Sequence, residues 1–307
     1  MVATEYHIPV LLSESVSGLA IRPDGVYVDL TYGGGGHSRE ILNRLTNGML
    51  IAFDQDPAVH DRLISDKHFE FVQHNFRYFA QFLHYLGYNQ VDGILADLGV
   101  SSEHLDNPER GFSFRYNAPL DMRMNPCLKQ TAADLLQQSE EYELRKIFKD
   151  FGEVDNPHRI ARRIVVARTV NPVQTTFELA DILRPLFPPN RENKMMAQVF
   201  QSLRIAVNHE IESLQVMLEQ TARFLKPGGR LVIISYHSLE DRLVKNYMKG
   251  GNPEGTIQTD LLGRSMAPFK PVNRKVTVPG PEENERNSRA RSARLRIAER
   301  IELLSNV

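Results

Sequence analysis

The chain has 307 residues, with 37 Lys and Arg against 38 Asp and Glu for a net charge of -1, and 41% hydrophobic side chains. That length and balance give one large or two modest domains and exclude disorder, collagen and extended coiled coil. No aliphatic run is long enough to span a bilayer, near-zero charge removes any global pull toward nucleic acid, and the lone Cys127 excludes an internal disulfide or a cysteine zinc cluster.

Residues 1–16 hold Glu5 and no Lys or Arg, unlike a signal peptide, so a cytoplasmic location without membrane partners is expected. Four β-branched or aromatic runs, 26–30, 49–53, 69–72 and 91–97, alternate with helical stretches at 37–45, 57–64 and 78–86. That alternation predicts a parallel, doubly wound α/β sheet. Beyond Asp97 the rhythm changes. Helices are predicted at 131–138, 140–151, 158–168 and 175–186, broken by Gly152, Pro157, Pro172 and the prolines of 185–189. One long amphipathic helix follows, with Phe200, Leu203, Val207, Ile211, Leu214, Leu218 and Leu225 at three- and four-residue steps, stopping at Pro227-Gly228-Gly229. A strand at 230–235 resumes the sheet, and 275–278 reads as another. Ala293, Leu295 and Ile297 alternate with Arg294 and Arg296 as a half-buried strand, with a helix as the alternative. The expected layout is an α/β domain, 1–102 with 200–307, carrying an all-α insertion at 103–199.

Asp29-Leu30-Thr31-Tyr32-Gly33-Gly34-Gly35-Gly36-His37-Ser38 joins the first strand to the first helix, where such sheets bind nucleotide ligands. A dinucleotide fingerprint fails at Ser38, and Asp29 would repel a pyrophosphate. The acid suits a cation, and S-adenosylmethionine carries a positive sulfonium and α-amino group. Asp54 stands where an acid accepts ribose hydroxyls, Phe76 where a ring packs on adenine, and Asp97 ends the fourth strand. Glycine turns and a buried Phe are also ordinary structure, but four strand ends carrying an acid or an Asn-Phe pair are harder to explain as packing.

Two basic groups stand out: Arg159, Arg162, Arg163 and Arg168, and then Arg286, Arg289, Arg291, Arg294, Arg296 and Arg300, opposed only by Glu299 after Arg286. They read as RNA-phosphate contacts or as solvated charged faces. Phe112, Phe114 and Tyr116, beside Arg110 and Arg115, read as a stacking platform for an extruded base.

Several words in the chain are unusual: His7-Ile8-Pro9-Val10-Leu11-Leu12-Ser13-Glu14, the Gly-Gly-His-Ser loop, Asp97-Leu98-Gly99-Val100-Ser101-Ser102, Gly111-Phe112-Ser113-Phe114, Leu120-Asp121-Met122-Arg123-Met124, Phe200-Gln201-Ser202-Leu203-Arg204-Ile205 and Ser235-Tyr236-His237-Ser238-Leu239-Glu240-Asp241-Arg242. With Arg289-Ala290-Arg291-Ser292 they resemble the MraW (RsmH) family, bacterial methyltransferases acting on the N4 amino group of a cytidine in 16S ribosomal RNA. The resemblance runs from His7 nearly to Arg300. It implies a class I, Rossmann-like S-adenosylmethionine-dependent methyltransferase sheet with a helical substrate-recognition insertion. It also implies cofactor contacts from Gly35, Gly36, His37, Asp54, Phe76, Asp97 and His104. The implied partner is 16S ribosomal RNA or the small subunit, in the P-site region of the decoding centre. The chain departs from the family pattern at Tyr236, where Phe is more common, at His104, where Gln is common, and at 153–155 and 193–196.

The N4 lone pair of cytosine is delocalised into the ring and becomes nucleophilic when an acceptor draws its N–H. Asp97 and the 98–102 turn are the candidates for that acceptor, with transfer by direct displacement and no metal. His237 is a candidate to orient the base or take the proton, and a structural hydrogen bond explains it equally well. Pro126-Cys127 would suit C5 methylation, but it lies about 30 residues beyond the fourth strand, too far for a cysteine nucleophile. A small-molecule methyltransferase, a nicotinamide-dependent dehydrogenase and a non-enzymatic RNA-binding module are the rival readings. The insertion with its arginines favours a macromolecular substrate. A homodimer is left open.

Overall fold

The computed structural model describes residues 9–101, 104–105, 107–273 and 275–302. His7, Ile8, Ser102 and Glu103 of the sequence reading therefore lie outside the described residues. The chain divides into two compact units, Met1–Gly99 with Ile211–Val307, and Val100–Glu210.

In the first unit the strands are β1 (Val26–Asp29), β2 (Met49–Asp54), β3 (Phe69–Gln73), β4 (Val91–Asp97), β5 (Leu225–Ser235), β6 (Phe269–Pro271) and β7 (Arg294–Arg300). They form one sheet in the order β3-β2-β1-β4-β5-β7-β6. Pairing is parallel from β3 to β5, and β7 runs antiparallel to both β5 and β6. The result is a mixed seven-stranded α/β sheet, parallel through its first five strands.

Period-two alternation sorts the strand residues between two faces. Val28, Ile51, Phe53, Ile94, Ala96, Leu231 and Ile233 are buried with residues of α3 (Phe79–Tyr85), α9 (Glu210–Phe224) and α10 (Ser238–Gly250). Tyr27, Leu50, Leu95, Val232, Ile234, Leu295 and Ile297 are buried with α1 (Leu12–Gly18) and α2 (Gly36–Leu42). Each such aliphatic side chain contributes about 1.5–3 kcal/mol on burial, so a sheet covered on both faces sets the frame for its edges.

Four expectations change, the first being that the 57–64 stretch forms a 3-10 helix over Pro57–Arg62 and not an α-helix. The Pro227-Gly228-Gly229 run does not precede the strand but sits inside β5: pairing with β4 passes from Val91↔Leu225 to Gly93↔Arg230, and Gly228, at φ 79, takes up the extra residues as a bulge. Residues 275–278 contribute only a bridge from Thr277 to Leu295. The strand beside β7 is instead Phe269–Pro271, buried through Phe269, with Pro271 tolerated because this is an edge. The long helix is also two, α8 (Glu192–Asn208) and α9, parted by His209 at φ 51. A non-glycine residue there costs about 1–3 kcal/mol. Asn208 offsets it: its buried side chain donates to Met122 O and accepts from Met124 N, both at 2.7 Å, while Arg204 pairs with Glu210 through two hydrogen bonds of 2.8 Å.

The second unit is helical: α4 (Ala132–Gln138), α5 (Glu141–Asp150), α6 (Pro157–Arg168), α7 (Thr176–Leu183) and α8. Capping boxes start α4 at Thr131 and Asp134, α5 at Glu140 and Glu143, and α7 at Thr175 and Glu178, each satisfying backbone donors a helix start leaves open. Its own core gathers Leu136, Leu144, Phe148, Ile160, Ile164, Leu179, Leu183, Val199 and Leu203. Among the described residues of the chain, no helix is long and apolar enough to cross a membrane.

Candidate active site at the carboxyl edge of the sheet

An open parallel sheet binds ligands beyond the carboxyl ends of its strands, where strand order reverses. Here β1 lies between β2 and β4, so the reversal falls between β1 and β4, and both end in aspartate, Asp29 and Asp97. The neighbouring β2 ends in Asp54.

Asp29 is fully buried, and its carboxylate accepts hydrogen bonds from Ser38 Oγ at 2.6 Å and Thr31 N at 3.1 Å. It braces the glycine loop from inside, so its influence on a ligand is through charge and not through contact. Burial pushes its carboxyl up to about 6, against the Ser38 and Thr31 hydrogen bonds and with help from the charge of Asp54. Asp54 holds the loop from the other side, accepting from Gly33 N at 2.8 Å and Asp56 N at 2.9 Å. Gly35, at φ 74, starts α2, and a Cβ there would sit 2.6 Å from the Tyr32 hydroxyl. At Gly36 a Cβ would overlap Pro9. Gly34 differs: among the described residues nothing lies within 4 Å of where its Cβ would be. The loop thus leaves an open cradle over Gly34.

Asp97 is held by two hydrogen bonds and faces His37. Its backbone N donates to Thr31 Oγ1 at 2.6 Å, tying β4 to the β1 loop, and the Tyr236 hydroxyl donates to its Oδ1 at 2.7 Å. His37 Nδ1 stands 3.9 Å from Oδ2. Burial pushes the Asp97 carboxyl up to about 7; the Tyr236 hydrogen bond opposes this, and the charges of Asp29 and Glu240 add to it. Burial pushes His37 down to about 4, partly countered by the Val10 backbone, so the imidazole is neutral at pH 7 and its approach to Asp97 is not an ion pair. His37 Nε2 is buried without a hydrogen-bond partner among the described residues. Tyr236, raised far above the usual phenol range by burial and by Asp97, remains a donor throughout. Among the described residues neither Asp29 nor Asp97 has a Lys or Arg within 4 Å.

His237 caps α10, its side chain accepting from Glu240 N at 3.4 Å. The buried Glu240 carboxylate accepts in return from Tyr236 N at 2.8 Å and His237 N at 3.4 Å. His237 Nε2 lies 3.2 Å from Glu240 Oε1, off the direction of a hydrogen bond. The structure thus gives His237 a part in the turn after β5. Phe76 opens a 3-10 turn after β3, half-buried against the α3 side of the core, while Asn75 accepts from Arg77 N and donates to Gln55. His104 belongs to Val100–Glu210, where its buried ring lies 5.0 Å from that of Phe112 and its Nδ1 accepts from Ser101 N at 3.3 Å. Gly35, Gly36, His37, Asp54, Phe76, Asp97 and His237 all lie at carboxyl ends of strands in the first unit. Thr31, Ser38, Tyr236 and Glu240 stand in the quoted motifs, but the sequence does not give them these contacts; the i, i+3 spacing of His237 and Glu240 is a capping-box signal that points to the last.

The basic groups shrink. Arg294 and Arg296 converge on Asp241, at 3.2 and 2.7 Å, and Arg300 donates to the Ala222 and Pro268 carbonyls, while Glu299, the acid the sequence sets against that cluster, pairs with Arg230 at 2.8 Å. Arg286 and Arg291 stay exposed. Arg168 donates to the Leu136 and Ser139 carbonyls, closing the end of α4. The proposed stacking platform also narrows, because Phe112 is buried, Phe114 packs on Phe200 at 5.3 Å, and Arg110 holds the carbonyls of Arg123 and Met124. Tyr116 alone of its aromatics is exposed. Cys127 is an exposed free thiol in the second unit.

Residues 4–301 match the family model of the MraW methylase family. A protein of Bacteroides thetaiotaomicron named ribosomal RNA small subunit methyltransferase H is 55% identical, over 96% of this chain and 97% of that protein. One of the same name from Cytophaga hutchinsonii is 52% identical, over 96% of this chain and 99% of that protein. Among solved structures, an rRNA methylase from Streptococcus thermophilus aligns over 98% of this chain and 99% of that one, with 11% identity and a TM-score of 0.40.

Proposed function

The chain belongs to the MraW methylase family, and from that premise we propose that it methylates the N4 amino group of a cytidine in small-subunit ribosomal RNA, in the P-site region of the decoding centre. S-adenosylmethionine is the cofactor. The observation that carries the reading is the pair of acids, Asp29 and Asp97, flanking the strand-order reversal with no cationic side chain beside them. Such an edge repels a diphosphate and favours a positively charged donor. The open cradle over Gly34, the buried and unpartnered Nε2 of His37, and the carboxylate chemistry fit the group. Gly35, Gly36 and His37 would hold its amino-acid end, Asp54 the ribose and Phe76 the adenine. When bound, S-adenosylmethionine supplies an electrophilic methyl on a sulfonium.

Asp97 is the residue proposed to act on the acceptor. Its carboxylate would accept an N4–H and draw the lone pair out of conjugation, so that the N–C bond forms as the bond from sulfur to methyl breaks and the donor leaves as a neutral thioether, and it would then take the proton released from N4. A carboxyl near 7 is suited to that exchange, because a base works best with its pKa near the operating pH. Tyr236 fixes the orientation of Asp97 by donating to Oδ1, leaving Oδ2 on the His37 side. His237 holds the turn that carries Tyr236, which makes it a positioning residue. The helical unit is proposed as the RNA-recognition part, in the cytoplasm.

The test is reconstitution. Small subunits from cells lacking the protein, incubated with purified enzyme and S-adenosylmethionine, are digested and their nucleosides resolved by mass and retention. N4-methylcytidine appearing at a single position supports the proposal. Formation of 5-methylcytidine, or no methylated cytidine, rejects it.

A further inference from the structure

On α5, Tyr142, Arg145, Lys146 and Lys149 follow the i, i+3, i+4, i+7 spacing of one helix face, opposite the buried Leu144 and Phe148. With Asp150 and with Pro157 and His158 at the start of α6, they line a groove of 570 Å³, a size typical of sites for small ligands and single nucleotides. Four of its properties go together. Tyr142 is 64% exposed, although a ring of that size is usually covered. The Arg145 guanidinium lies 5.2 Å from the centre of the Tyr142 ring. Among the described residues none of Arg145, Lys146 and Lys149 forms an ion pair, whereas Arg184, Arg191 and Arg204 of the same unit all do. One acid, Asp150, lines the groove against three cations, and Arg162 lies one turn beyond His158 on α6.

We propose that this α5–α6 groove is a docking site for single-stranded RNA, in which Tyr142, backed by Arg145, stacks on a base while Lys146 and Lys149 meet the flanking phosphates. A flat aromatic face beside unpaired cations is the combination that single strands use: stacking is indifferent to sequence and worth roughly 1–3 kcal/mol per base, and each neutralised phosphate releases counterions. An acidic peptide would use the cations and leave the exposed ring without a partner. The inference rests on the proposed RNA substrate. It adds a contact that the sequence reading did not contain, since that reading placed RNA on Arg159 to Arg168 and on the C-terminal arginines.

The test measures binding of a single-stranded fragment of small-subunit ribosomal RNA to the full-length protein by fluorescence anisotropy, across a salt series. For Lys146→Gln/Lys149→Gln the expected result is affinity lower by roughly tenfold and a log–log salt slope reduced by about 1.4, at about 0.7 per phosphate contact. Tyr142→Ala is expected to lose roughly tenfold with an unchanged slope, and Tyr142→Phe to bind like the wild type. S-adenosylmethionine binding by calorimetry serves as the control and should be the same in all variants. The proposal is overturned if the groove variants keep wild-type RNA affinity and slope while Arg286→Gln/Arg291→Gln loses both, an outcome that leaves the methyltransferase reading standing. Absence of RNA binding by the wild-type protein, with the donor still bound, would instead overturn the RNA-substrate reading beneath it.

Discussion

One strand carries two kinds of acid, a buried one near its start and a half-buried one at its end. Near the start of β4, Asp92 accepts from Val26 N at 2.8 Å and Lys226 Nζ at 2.9 Å and is paired with Arg22. Burial alone would raise its carboxyl, but the Val26 hydrogen bond and the two cations outweigh it and hold the group below the usual range. Five residues on, Asp97 has a tyrosine and a neutral histidine for neighbours, and burial pushes it up to about 7. Asp121 with Arg123, and Asp241 with Arg294 and Arg296, repeat the Asp92 pattern. An acid whose charge is balanced within the fold holds segments together. An acid kept short of positive charge, at the edge where strand order reverses, fits the cationic donor proposed for it.

The comparison is broken most directly at Asp97. Asp97→Asn should lower methyl transfer roughly 10²–10⁴-fold, the usual range for a lost proton acceptor, without loss of cooperative unfolding. Near-wild-type turnover would remove Asp97 from the mechanism. The converse change, Asp92→Asn, should cost about 1–3 kcal/mol of stability, read from the urea midpoint, while turnover per folded molecule stays within about twofold. The cost stays moderate because Arg22 and Lys226, 69% and 41% exposed, regain water when their partner goes.

The unliganded protein should also become less stable as pH rises from about 5 to about 8. Asp29 and Asp97 have folded-state values raised above the unfolded one, so the folded state keeps protons that the unfolded chain has released. The contribution is full below the unfolded value and is lost as pH passes about 6 and then about 7. Thermal melts across that range test it, and Asp97→Asn should flatten the upper part of the decline; a wild-type profile that rises with pH contradicts it. The smallest effect belongs to Tyr236→Phe. Its hydrogen bond lowers the Asp97 carboxyl, so removing it should move the acid limb of the rate profile to higher pH with a few-fold loss of rate below neutrality. An unmoved limb would separate Tyr236 from Asp97.

Much of the frame was legible in sequence because period-two alternation and glycine or proline punctuation are local signals. β1 to β4 and the helices of the second unit fall within a few residues of their predicted places. The failures are tertiary. His209 reads as one more helical residue until Asn208 finds the Met122 and Met124 backbone. Pro227-Gly228-Gly229 reads as a stop until β4 pairs through it. The arginines of 286–300 read as a free patch because Asp241 and the Ala222 carbonyl are far away in sequence. At the site, the acids could be named from strand ends, but only the fold shows that Asp29 is turned inward and Asp97 is held by Tyr236. Tyr142 lay on a predicted helix and carried no signal, since its exposure depends on what α6 leaves uncovered.

Proton exchange on donor binding tests the electrostatic claim at its root. Calorimetry of S-adenosylmethionine binding near neutral pH, in buffers of different ionisation enthalpy, should reveal a fraction of a proton released per donor bound, growing as pH is lowered from about 8 to about 6.5 and largely abolished in Asp97→Asn. Binding without proton release, or release of the same size in the variant, would contradict the account.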